Sequence, residues 1–192
     1  WEEILAQPRP ARDLLYPTAI WRYARGMAYT GMGNLTAAEN ELTNLQLLQR
    51  NETIRNYTIW EINTVGDLLD IAAYVLEGEL MARRGDFAAA ERLLTKAVEL
   101  EDGLSYNEPP DWFFSVRHHL GPVLITMGRY ADAEQLYRRD LELFPKNGFA
   151  LSGLHQALLR QDKKKEARAV EQRFQAAWRH ADVRLDGARV VS

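Results

Sequence analysis

A chain of 192 residues that is 46% hydrophobic and carries a net charge of −3 has apolar surface enough for one compact domain or one segment of a repeat array. Its basic residues are scattered rather than striped, so the electrostatic footprint of nucleic-acid or acidic-membrane binding is missing. The absence of cysteine excludes disulfides, thiolate zinc sites and cysteine nucleophiles together, and no run of about 18 apolar residues offers a membrane span.

Trp1-Glu2-Glu3-Ile4-Leu5 reads as the start of a helix that Pro8 and Pro10 end. It looks like the second helix of a pair, and the chain opens on Trp1 rather than Met. The expectation is therefore a fragment or processed product with further helices before Trp1. Residues 17–48 set Gly26, Tyr29, Gly33, Ala38, Leu42 and Leu45 at the offsets of two antiparallel helices. Gly33 falls where the first helix must stop and turn, a place that favours positive φ. Thr36-Ala37-Ala38-Glu39 reads as a capping box for the second. Gln49 to Gly66 then interrupts the pattern with an insertion carrying Tyr57, Ile59, Trp60 and Ile62. The pattern resumes over 67–100 as Gly78, Met81, Gly85, Ala90, Leu94 and Ala97, and a second insertion, Glu101 to Trp112, interrupts it again.

Over 112–145 the pattern is clearest: Leu120, Gly121, Leu124, Gly128, Tyr130, Ala133 and Tyr137, closed by Pro145. It repeats over 147–180, where Leu154, Leu158 and Ala167 stand 34 positions after Leu120, Leu124 and Ala133, with His155 and Asp162 in place of Gly121 and Gly128. Glu166 to Arg179 reads as a long last helix with Phe174 and Trp178 turned inward, and Lys163-Lys164-Lys165 as a solvated turn. A Gly inside a helix costs roughly 1 kcal/mol against Ala, so Gly26, Gly78 and Gly121 need a compensating reason. Close approach of the partner helix, with Ala38, Ala90, Ala133 and Ala167 opposite, supplies one.

This arrangement of small and large residues resembles the tetratricopeptide repeat (TPR), a helix-turn-helix unit of about 34 residues. The resemblance implies an all-α, right-handed superhelical solenoid of about four units, roughly 17–48, 67–100, 112–145 and 147–180, in a single domain. More narrowly, Trp21-x-Tyr23-Ala24-Arg25-Gly26, Glu108-Pro109-Pro110-x-Trp112, Arg117-His118-x-Leu120-Gly121 and Ala177-Trp178-x-x-Ala181-Asp182-Val183 resemble the C-terminal part of a group of bacterial TPR-containing proteins of largely unassigned activity. That likeness brings no activity with it, because such arrays are scaffolds whose binding surfaces vary.

The register of the resemblance implies a concave face written by Ile20, Tyr23, Met27 and Thr30, by Ala72, Val75, Glu79 and Ala82, by Ser115, His118, Pro122 and Ile125, and by Phe149, Ser152, Gln156 and Leu159. It lacks the Lys and Asn of clamps for acidic chaperone tails. An apolar groove for a helix or extended peptide fits better, with Tyr23, Met27, Glu79, Trp112, His118 and Gln156 as anchors. Glu108-Pro109-Pro110-Asp111-Trp112-Phe113-Phe114 has two readings: an ordered plug between units with a Trp anchor, or a loop overhanging the groove and helping to hold a ligand.

His118 and His119 are neighbours about 100° apart on a helix and do not share a metal easily, since the useful spacing is i,i+4. The competing function is a ligand- or metal-binding accessory domain of a larger enzyme or sensor, with His118, His155 and Glu108 converging. A third is a spacer or self-associating segment. No nucleophile elbow, phosphate-binding glycine loop or His-Glu-x-x-His is present, so no catalytic residue, metal site or cofactor is expected. Three Asn-x-Thr triplets begin at Asn34, Asn51 and Asn56, and at Asn34 capping already explains the threonine.

Overall fold

The computed structural model describes residues 1–191, and within them the chain is mostly helical, with two short antiparallel hairpins. It folds as two compact units, Trp1–Phe113 and Phe114–Ser192. The first unit contains α1 (Glu2–Ala6), α2 (Leu15–Gly31), α3 (Leu35–Gln49), α4 (Glu52–Arg55), β1 (Thr58–Ile59), β2 (Asn63–Thr64), α5 (Val65–Arg83) and α6 (Phe87–Asp102). The second contains α7 (Arg117–Thr126), α8 (Tyr130–Leu143), α9 (Gly148–Arg160), α10 (Lys164–Trp178), β3 (Arg184–Asp186) and β4 (Arg189–Val191). No helix among the described residues is long and apolar enough to cross a membrane.

Four of the helix-helix turns are built alike. Gly33, Gly85 and Gly128 have φ of +78°, +83° and +74°, and Asp162 takes the same left-handed geometry at +57°. Each helix ends with a backbone N–H reaching the carbonyl five residues back: Asn34 to Tyr29, Asp86 to Met81, Arg129 to Leu124 and Lys163 to Leu158, all at 2.9–3.0 Å. These bonds satisfy carbonyls the helix end would otherwise leave orphaned. The residue after the turn then opens the next helix. Asn34 accepts from Ala37 N–H at 3.2 Å and Asp86 from Ala89 N–H at 3.0 Å. The cap of α3 is thus Asn34, not Thr36. The left-handed Gly33 delivers the chain to α3 one residue after itself, so Thr36 already lies inside the first turn.

In the first unit α5 is the central helix. Leu68, Leu69, Ile71, Ala72, Val75, Leu76 and Leu80 are all fully buried, so it is apolar nearly all round, as a helix covered on several sides must be. It packs on α6, α2 and α3. Gly26 and Gly78 leave room for the side chains of Leu76 and Leu94, while Ala38 and Ala90 are fully buried on α3 and α6. The approach that excuses the helical glycines is therefore made by inserted side chains. At the surface of α2, Glu41 accepts from Arg22 at 2.7 Å and Arg25 at 2.8 Å. Both guanidinium groups lie against the Trp21 ring, 4.8 and 4.6 Å from its centre.

In the second unit α9 packs between α8 and α10 and also touches α7. Tyr137 of α8 is its hub: fully buried, it lies against Gly121 of α7 and Gly153 of α9, where a Cβ would come within 2.1 and 2.2 Å of the Tyr137 phenol. The last helix is held by Trp178, which packs edge-on against Phe149 at 5.3 Å and donates to the Val183 carbonyl at 2.8 Å.

Candidate interaction surface

The first insertion is anchored at its base and strained at its tip. Asn51 caps α4 through Thr53 and Ile54, and Ile54 is buried. Arg55 donates twice to Asp70 of α5, at 2.6 and 2.9 Å. Burial raises the Asp70 carboxyl pKa, but the hydrogen bonds from Arg55 and Gln49 outweigh it and hold the group below its ordinary value. Beyond this anchor β1 and β2 pair antiparallel, with Thr58 opposite Thr64 and Ile59 opposite Asn63. Ile62 N–H closes the turn on the Ile59 carbonyl at 2.9 Å. Its two central residues, Trp60 and Glu61, have φ of +54° and +62°. Positive φ at both positions is the requirement of a type I′ turn, which Asn-Gly meets with least strain. A tryptophan there costs on the order of 1 kcal/mol or more.

The second insertion is fastened to the first by Asn63. This side chain is 5% exposed. Its amide donates to the Ser105 carbonyl at 2.9 Å and to Asp111 Oδ2 at 2.7 Å, and its oxygen accepts from Ser105 N–H at 2.8 Å. Asn107 donates to the other Asp111 oxygen at 2.9 Å. Trp112 is buried against Tyr23, edge to face at 5.5 Å. With Asp111 and Trp112 held this way, the Pro109-Pro110 pair does not run straight into a helix, and α7 opens only at Arg117. Asn63→Ala removes the partner of the Ser105 N–H and of an Asp111 oxygen, both in a part-buried setting, at about 0.5–1.5 kcal/mol for each lost hydrogen bond. Protease cleavage within 103–111 is expected to quicken sharply, and unchanged cleavage would show that Asn63 does not hold the loop.

What this framework carries outward is aromatic. Among the described residues the most exposed large apolar side chains are Trp60 and Tyr106, both 82%, and Phe113, 70%. Tyr57 and Ile62 are exposed beside them in sequence. Tyr106 donates its hydroxyl to Glu108, and that bond chiefly raises its pKa. The residues that make the surface, 57–64 and 101–112, contain five carboxylates and no Lys, Arg or His.

The residues expected to line a groove fall mostly inside the units. In the first, Tyr23, Glu79 and Trp112 are buried and Met27 is half-buried. Burial, then the Glu79 charge, pushes the Tyr23 hydroxyl pKa well up. In the second, His118 is 2% exposed. Its Nε2 is 3.0 Å from Asn147 Nδ2 and 3.9 Å from Asp140 Oδ2. Burial, followed by His119 and Arg117, lowers its pKa to about 3. Gln156 is half-exposed and lines a cleft of about 460 Å³ with His155, Arg160, Phe174 and Leu185. The hairpin β3–β4 borders that cleft, with Asp186 accepting from Gln156 at 3.4 Å. Glu108 belongs to the first unit, as the acceptor for Tyr106. Among the described residues no three His, Asp or Glu side chains gather as metal ligands would.

The anchoring role of Asn63 and the turn at Trp60-Glu61 were not legible in the sequence. An asparagine bonding to residues 42 and 48 positions away leaves no local pattern, and Trp-Glu is not turn chemistry. The insertions themselves, and their aromatic content, were. No protein-family model matches the chain, and no curated protein matches it either.

Proposed function

We propose that the chain is a TPR-like right-handed solenoid of four helix pairs that acts as a protein-interaction scaffold and binds through the aromatic edge made by its two insertions. The four like turns at Gly33, Gly85, Gly128 and Asp162 support the repeat reading, as do the fully buried alanines Ala38, Ala90, Ala133 and Ala167. The observation that carries the binding reading is Trp60: 82% exposed, at positive φ, on a hairpin fastened at its base and its flank. Backbone strain that serves no packing is kept for what it presents to solvent, and a rigid aromatic loses little entropy when a partner covers it. Met27 in the first unit and Gln156 in the second are the expected anchors that are not buried, and a groove reading is kept for each within its own unit.

The test replaces Trp60-Glu61 with Asn-Gly. Because this is the pair a type I′ turn prefers, the variant should be more stable by about 1 kcal/mol or somewhat more. It should also fail to retain the protein that wild type captures in a pull-down. Retention at the wild-type level would remove the insertion edge from the interaction. Parallel substitution of Met27 and Gln156 by alanine asks the same of each unit's groove.

A further inference from the structure

Resting on the interaction reading above, which leaves open what kind of partner the edge accepts, we propose that the insertion edge binds a cationic, extended segment of a partner protein. Arg or Lys side chains of that segment lie on the Trp60 and Tyr106 rings and pair with Glu61 and Glu108.

The first support is charge. Segments 57–64 and 101–112 contain Glu61, Glu101, Asp102, Glu108 and Asp111 and no cation, and the bonds from Asn63 to Ser105 and Asp111 hold the two segments to each other. Asp111 is taken up by Asn63 and Asn107. Glu61 and Glu108 are exposed beside the aromatic side chains: Glu61 adjoins Trp60 in the turn, and Glu108 accepts from Tyr106. A surface of this sign repels phosphates and anionic headgroups, so nucleic acid and acidic membranes are excluded as occupants.

Ring geometry adds a second. A guanidinium or ammonium is drawn to the face of a tryptophan or tyrosine, most strongly where a carboxylate can also take its N–H groups. With Trp60 and Tyr106 each only about a fifth covered, both rings are open to such contact. The same unit already uses this chemistry internally. Arg22 and Arg25 lie on the Trp21 ring and are both bound by Glu41. At the insertion edge the aromatic and acidic halves of that arrangement are present, and the cation is left for a partner to bring.

The experiment uses the whole chain and a fluorescein-labelled peptide of alternating arginine and serine, followed by anisotropy. Companion peptides carry citrulline, glutamate or leucine in place of arginine. Binding of the arginine peptide is expected, with an affinity that falls as salt is raised. Trp60→Ala should weaken it about tenfold or more. Glu61→Gln with Glu108→Gln should weaken it severalfold and flatten the salt dependence. The citrulline and glutamate peptides should not bind. Failure of the arginine peptide to bind, or equal binding of the citrulline peptide, overturns the inference. If the leucine peptide alone binds and Trp60→Ala abolishes it, the edge is an apolar docking site: the interaction reading then stands and the cationic partner falls. A dimer in light scattering that Trp60→Ala dissolves would make a second copy the occupant and overturn the assignment to a separate basic segment.

Discussion

Gly153→Ala is expected to destabilise the protein by about 1–3 kcal/mol, yet to stabilise it once Tyr137 has been replaced by alanine. In the intact chain the added methyl would meet the Tyr137 ring at 2.2 Å. That ring is fully buried and already lies against Gly121 on its other contact. It has no room to yield without shifting α7, α8 or α9, and close-packed interiors resist such movement. The clash therefore outweighs the roughly 1 kcal/mol that alanine offers over glycine inside a helix. Tyr137→Ala alone should cost about 3–5 kcal/mol, the range for truncating a large buried aromatic. In that background the new methyl enters vacated space, the clash disappears and the helical preference is what remains. Urea denaturation of the four proteins closes a double-mutant cycle whose coupling should exceed about 1 kcal/mol. Additive effects would mean that Tyr137 does not fill the space between the two glycines.

That same triad shows where sequence reading reached and where it stopped. Gly121 stood out as a helical glycine needing a reason and Tyr137 as a member of the same repeat pattern, but Ala133 was the residue expected opposite Gly121, so the insertion of the Tyr137 ring there was not legible. Nor was the role of Gly153, because its partner lies on the preceding helix pair and depends on how α9 is laid against α8. The turns were legible at Gly33, Gly85 and Gly128, since positive φ selects glycine. At Asp162 only the 34-residue offset marked the position. Tyr23, Trp112 and His118, expected as anchors of a groove, are packed instead. An aromatic or polar residue on a helix face has the same spacing whether that face meets a partner or the next helix, so periodicity does not separate the two. The exposed aromatics of the insertions were visible as composition, but which of them points outward is decided by one turn and one buried asparagine.

Acidification from pH 7 to pH 5 is expected to cost the protein about 2 kcal/mol of stability through His118. The ring is packed between Phe114, 4.9 Å away, and Phe149, 5.5 Å away. Burial there, with the nearby His119 and Arg117, takes its pKa from the ordinary 6.5 to about 3. The folded state therefore keeps the ring neutral over a range in which the unfolded chain takes up a proton. Stability from this source is fully present above about pH 6.5 and is lost as pH falls toward 3, by up to about 1.4 kcal/mol for each pH unit. Asp140 acts in the opposite sense. Burial raises its carboxyl pKa against the opposing pull of Ser115 and Arg117, so its contribution is present in acid and lost as pH rises through the folded value. Protonation of Asp140 thus offsets part of the His118 loss, and most so at the acid end of the window. Asn147, which faces His118 Nε2 at 3.0 Å, does not titrate. His118→Phe keeps an aromatic ring between Phe114 and Phe149 and removes the proton site. It should lower stability at pH 7, because Asn147 loses its partner, and it should flatten the slope between pH 7 and pH 5. Thermal melts of both proteins across that range decide the matter, and a slope that survives in His118→Phe would assign the acid sensitivity to another group.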